Sequence, residues 1–140
     1  MAFPLLENFK VFAAYNAWAN ARLYEACGQL HETEYLAPRP SFFGSLHMTL
    51  NHVLVGDRIW MSRFTGTESG ITALDQELYA EFAGLEVARK AEDAHIINYV
   101  DGLDENALAG WLEYTSMAGD YQNDELRLLL AHFFNHQTHH

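Results

Sequence analysis

Apolar residues return every three or four positions through four long stretches of the chain, the period of helices that each bury one side. The first stretch runs from about Leu5 to Cys27 and sets Leu5, Phe9, Phe12, Asn16, Ala19 and Leu23 along one side. Pro4 suits its start, and Gly28 suits the left-handed residue that ends a helix. A second helix is predicted after Pro38-Arg39-Pro40, with Ser41 as its N-cap, running to Phe64 before Gly66 stops it. Its apolar side includes Leu46, Leu50, Val53, Leu54 and Trp60. Thr65 to about Asp75 is rich in Thr, Gly and Ser and reads as a loop, followed by a third helix from Leu78 to Val100 that ends near Gly102. From Asp104 to Asn123 the pattern is less regular, and Trp111 to Met117, followed by Gly119, predicts a short extended excursion. Asn123 or Asp124 then caps a fourth helix beginning Glu125-Leu126-Arg127. The expected fold is all-α, a four-helix bundle whose longest connection joins the third and fourth helices.

Composition narrows what such a bundle can do. At 140 residues with 49% apolar content, the chain reads as one domain over residues 1–140 with a packed core. A net charge of −11 repels phosphate backbones and anionic lipid, so neither nucleic acid nor a membrane surface is an expected partner. Cys27 stands alone, which excludes an intrachain disulfide and reads as a small buried residue near a helix end. The start carries no basic stretch followed by an apolar one, and no apolar run approaches the roughly 20 residues that span a bilayer. The expected location is the cytoplasm.

Half of the 8 histidines crowd the end of the chain, at His132, His136, His139 and His140. On a helix, at about 100° per residue, His136 lies roughly 40° from His132, His140 roughly 80°, and His139 roughly 20° the other way. His136 and His140 have the i, i+4 spacing that lets two ring nitrogens meet one ion, and a stable site needs a third ligand from elsewhere. The second helix offers His47 and His52, which point about 140° apart and so cannot both serve. Both lie beside the apolar stripe, and periodicity does not separate them.

Tyr15-Asn16-Ala17-Trp18-Ala19-Asn20 on the first helix, His52 followed by Asp57-Arg58-Ile59-Trp60 on the second, and the closing His136-x-x-x-His140 together resemble the DinB/YfiT-like family of metal-binding four-helix bundles. The resemblance covers nearly the whole chain. It implies one ligand from the second helix and two from the last, which by position are His52, His136 and His140. Such proteins usually continue the last helix, typically with Arg-Gly-Gln after the second histidine; here the sequence closes on His140, and the expectation is a shortened last helix.

The remaining motifs have simpler readings. His132 and His139 are expected to support the site or to lie on the surface, His47 to be a surface or loop-facing residue near its mouth, and His31 to be solvated. Glu92-x-x-His95 is a single copy of a motif that di-iron bundles need twice, with two further glutamates, so a di-iron centre is not expected. Trp18, Trp60 and Trp111 read as core or interface anchors, and Asp57 and Arg58 as a structural salt bridge or cap.

Three neutral imidazoles leave a divalent ion its full charge and an open position, the arrangement of a catalytic site. Zinc is the first expectation, with nickel or iron also able to accept three nitrogens. The resemblance implies a metal-dependent, thiol-dependent transferase acting on a small-molecule substrate with a low-molecular-weight thiol as cofactor. Two other readings share the fold: a metal-dependent hydrolase, and a non-catalytic interaction protein with a structural metal. A homodimer is expected from the resemblance, and Phe12, Tyr15, Trp18 and Tyr24 on the first helix exceed what one buried stripe needs.

Overall fold

A computed structural model describes residues 4–140. Residues 1–3, part of the segment read for a leader, lie outside the described residues. Four long helices form: α1 (Leu5–Gly28), α3 (Leu46–Thr65), α4 (Phe82–Asp101) and α6 (Leu126–His139). Two short ones, α2 (Glu32–Leu36) and α5 (Glu105–Leu108), sit in the connections. The extended excursion is an antiparallel hairpin of β1 (Trp111–Thr115) and β2 (Tyr121–Glu125), paired from Trp111↔Glu125 to Thr115↔Tyr121. Its turn places Gly119 at φ 91°, where a side chain would be strained. The all-α bundle and its long connection before the last helix are thus both present, with α1 packed most extensively on α4.

The core is two apolar clusters with a polar layer between them. One gathers Phe9 and Ala13 of α1, Met61 and Phe64 of α3, Ile96 and Val100 of α4, and Leu130 and Phe133 of α6. The other gathers Tyr24, Cys27, Tyr35, Leu50, Leu54 and Leu85. Along each helix the residues between these sets are polar and buried: Asn16 on α1, Asp57 on α3, Arg89 and Asp93 on α4.

Several boundaries differ from the sequence reading. The N-cap of α3 is Ser45, whose Oγ accepts from the Met48 N–H at 3.1 Å, and Ser41 lies in a loop before it. Gly28 remains helical and Gln29 ends α1 with φ −89°; the Gln29 N–H donates to the Ala26 carbonyl and the Leu30 N–H to the Cys27 carbonyl, tightening the last turn. Asn123 and Asp124 are held extended by pairing with Glu113 and Leu112, so α6 starts after Glu125. Helix α4 starts at Phe82 because the Leu78 and Tyr79 N–H groups are spent on the Asn51 side chain. The buried side of α1 is Leu6, Phe9, Ala13, Asn16, Tyr24 and Cys27, while Leu5, Phe12 and Leu23 are exposed. Trp18 and Trp111 are exposed as well.

Candidate metal centre

Helix α3 presents His52 towards the end of α6, where His136 and His140 project one turn apart. One ring nitrogen from each of the three lies within 4.8 Å of the others. Ring centroids are 4.6 Å apart for His136 and His140, 4.6 Å for His52 and His140, and 5.4 Å for His52 and His136. Gly56, one turn after His52, makes the approach of α6 possible: a Cβ there would stand 2.8 Å from Cε1 of His136.

The tautomer of His52 is set from behind. Its Nδ1–H donates to the Leu74 carbonyl at 3.0 Å, which leaves Nε2 free as an acceptor or ligand. Leu74 belongs to the loop of residues 66–81, and Asn51 clamps that loop to α3. The Asn51 Oδ1 accepts from the N–H groups of Leu78 and Tyr79, and its Nδ2 donates to the Tyr79 carbonyl. Phe43 stacks on the His52 ring with centroids 3.9 Å apart and planes 20° from parallel.

Burial and mutual repulsion favour the neutral forms of His136 and His140. Burial, and then the charges that His140 and His52 would carry, pull the His136 pKa down to about 4. Burial and His52 also lower His140. Neutral imidazoles are the form that donates a lone pair to a metal, and the donor set therefore fits a divalent ion.

The other histidines stand apart. His132 and His139 are exposed, the first against Trp60 and the second beside His140. His31 is exposed, and His95 meets Glu92 at 3.3 Å on the surface. His47 faces the 66–81 loop but is not a surface residue. It is buried, with Nδ1 bonded to the Tyr35 hydroxyl and Nε2 to Glu77 Oε1 at 3.0 Å, because α2 and the 66–81 loop close over it.

The sequence pattern of the DinB family matches residues 5–140. The chain belongs to the DinB family. It is similar to Protein DinB of Bacillus subtilis (strain 168), with 28% identity over 137 residues that cover 94% of this chain and 78% of that protein.

One part of this DinB-family bundle escaped the sequence reading. Asp57 does not pair with its neighbour Arg58, which reaches the Tyr79 hydroxyl at 2.9 Å instead. Asp57 meets the buried Arg89 guanidinium, which also meets Asp93 at 2.7 Å. Asn16 and Asn20 donate to Asp93, and the Gln137 amide donates to Asp57 Oδ1 at 3.0 Å. Burial pushes both carboxyls up, with Arg89 as the main counterweight. Burial also works against the Arg89 charge, but the two carboxylates more than offset it and raise its pKa. The available signal was Arg89 and Asp93, four residues apart on the otherwise apolar side of α4 that carries Leu85, Ala88 and Ile96.

Proposed function

We propose that this DinB-family protein binds one divalent metal ion through His52, His136 and His140 and acts as a metal-dependent, thiol-dependent transferase on a small-molecule substrate. The observation that carries the reading is the meeting of three imidazole nitrogens, drawn from two helices, within 4.8 Å. Zinc is the first expectation because it accepts both four and five ligands, and nickel or iron suits the same nitrogens. When bound, such an ion supplies a Lewis-acid centre at which a thiol ionises near neutral pH.

The chain's own residues divide the remaining work. His52, with Nδ1–H given to Leu74, offers Nε2 in a fixed direction. His52 is the most buried of the three, with Phe43 covering one face of its ring, and His136 packs against Gly56. His140 is exposed, which leaves an approach from solvent for a thiol and its reaction partner. Among the described residues no helix is long and apolar enough to cross a membrane. The reading locates the reaction in the cytoplasm, where Cys27 stays reduced.

Metal content of tag-free protein tests the reading. About one equivalent in the wild type, lost in both His52→Ala and His136→Ala, is the expected result for a single cross-helix site. Folded wild type that binds no divalent metal defeats it. Cobalt-substituted protein whose spectrum ignores excess thiol removes the transferase part while leaving the metal site.

The exposed aromatics Phe12, Tyr15 and Trp18 favour a second property, self-association through α1 into a homodimer. Phe12 and Tyr15 border a groove of about 570 Å³ between α1 and α6. Sedimentation at micromolar concentration tests this: a monomer defeats it.

A further inference from the structure

Among the large apolar side chains described, Phe42 is the most exposed, at 93%. Scattered exposed hydrophobics are ordinary on protein surfaces, so exposure alone carries nothing. Here the ring stands in a defined place. Phe42 packs edge-on against Phe43, with centroids 4.9 Å apart. Phe43 in turn stacks on His52 and turns its edge to His140 at 5.9 Å. The result is a continuous aromatic track from solvent to the candidate ligands.

The loop is built to hold Phe42 outward. The Arg39 N–H donates to the Gly44 carbonyl at 2.7 Å, the Ser41 N–H to the Arg39 carbonyl at 2.7 Å, and the Gly44 N–H to the Ser41 carbonyl at 3.2 Å. The Arg39 guanidinium bonds the Glu34 carbonyl at 2.9 Å, and Gly44 closes the loop at φ 86°. Pro38 and Pro40 remove further backbone freedom. A loop backbone held this way keeps the Phe42 side chain directed outward, so less backbone ordering is left to offset when a ligand covers the ring. His52 is the buried member of the three, beneath Phe43, and His140 the exposed one, so a molecule arriving at His140 meets the Phe43 ring with Phe42 beside it.

We propose that Phe42 is a specificity-determining residue: it receives a flat apolar group carried by the molecule whose donor atom reaches the three histidines. This rests on the metal reading above. The substrate class it selects is a thiol, or a thiol's reaction partner, bearing an aromatic or similarly flat group a few bonds from the donor.

The test uses the full chain loaded with cobalt and two matched pairs of small donors, 2-mercaptoethanol against benzyl mercaptan and acetohydroxamate against benzohydroxamate. Affinities are read from the cobalt absorption spectrum. The phenyl-bearing member of each pair is expected to bind about tenfold tighter to the wild type, the range of one well-placed aromatic contact. In Phe42→Ala that ratio falls to near unity, with cobalt content and helical spectrum retained. Val87→Ala, which removes another exposed apolar group, on α4, keeps the wild-type ratio.

Equal affinities in the wild type, or an undiminished ratio in Phe42→Ala, overturns the proposal while leaving the metal site standing. A wild type that takes up no cobalt defeats the metal reading and this proposal with it. Hydroxamate spectra without thiol spectra defeat the transferase reading alone, and the hydroxamate pair then decides on Phe42.

Discussion

Gln137 donates its side-chain amide to Oδ1 of Asp57 at 3.0 Å, and through it α6 is tied to the buried layer that crosses the bundle. Gln137 directly follows His136 and precedes His140 by three residues, so this bond holds the part of α6 that carries two candidate ligands. Asp57 is fully buried, follows Gly56, and lies five residues beyond His52. The same turn of α3 thus provides the space for one histidine and the anchor for its neighbour.

Gln137→Ala should therefore act on both stability and metal. Losing the donor to a buried carboxylate costs about 1–3 kcal/mol, read as a lower denaturation midpoint. Loss of such outer support typically weakens metal binding by about 10–100-fold, read by competition with a chelator. Full metal affinity in a destabilised variant would show that the bond holds the fold without orienting the ligands.

Gly56→Ala separates the two properties. Alanine favours a helix interior by about 1 kcal/mol over glycine, yet its Cβ would meet His136 at 2.8 Å. The expected variant is folded and helical, with metal affinity lowered by at least about tenfold as the His136 ring is displaced. Wild-type metal binding here would mean that α6 shifts freely at its end.

Acid should weaken the metal-free protein through His136. Its pKa is about 4 in the fold, because of burial and the neighbouring His140 and His52, against about 6.5 in an unfolded chain. Between those values the unfolded chain binds a proton that the fold refuses. Its stabilising share is whole above about pH 6.5 and is lost as the pH falls towards about 4. Asp57 and Asp93, raised by burial, push the opposite way, so the informative quantity is a difference. Wild type should lose more melting temperature over that window than metal-free His136→Gln; parallel curves would rule the explanation out.

Among the described residues Arg89 is the only cation paired with Asp57 and Asp93, and Arg89→Met removes it. Two carboxyls left buried without it should cost about 3–5 kcal/mol, measurable by chemical denaturation. A cost near zero would mean that both carboxyls protonate and pack as neutral groups.

Much of the architecture was legible because helical periodicity is a local signal. The four apolar stripes located α1, α3, α4 and α6, and the Trp111–Met117 segment with Gly119 located the hairpin. The exact starts were not legible. Ser41 and Ser45 are equally good caps by type, and only Gly44 in a left-handed turn selects Ser45. Leu78 fits the stripe of α4, but Asn51, distant in sequence, takes its N–H.

Sequence alone determined the helical periods, the i, i+4 spacing of His136 and His140, and the polar residues that interrupt three apolar stripes. All follow from neighbours a turn apart on one helix. The tertiary structure decided which histidine of α3 faces that pair, that Gly56 leaves room for His136, and that Asp57 answers to Arg89 and Gln137 rather than Arg58. These depend on how helices are rotated and set against one another, which is fixed by packing between residues far apart in the chain.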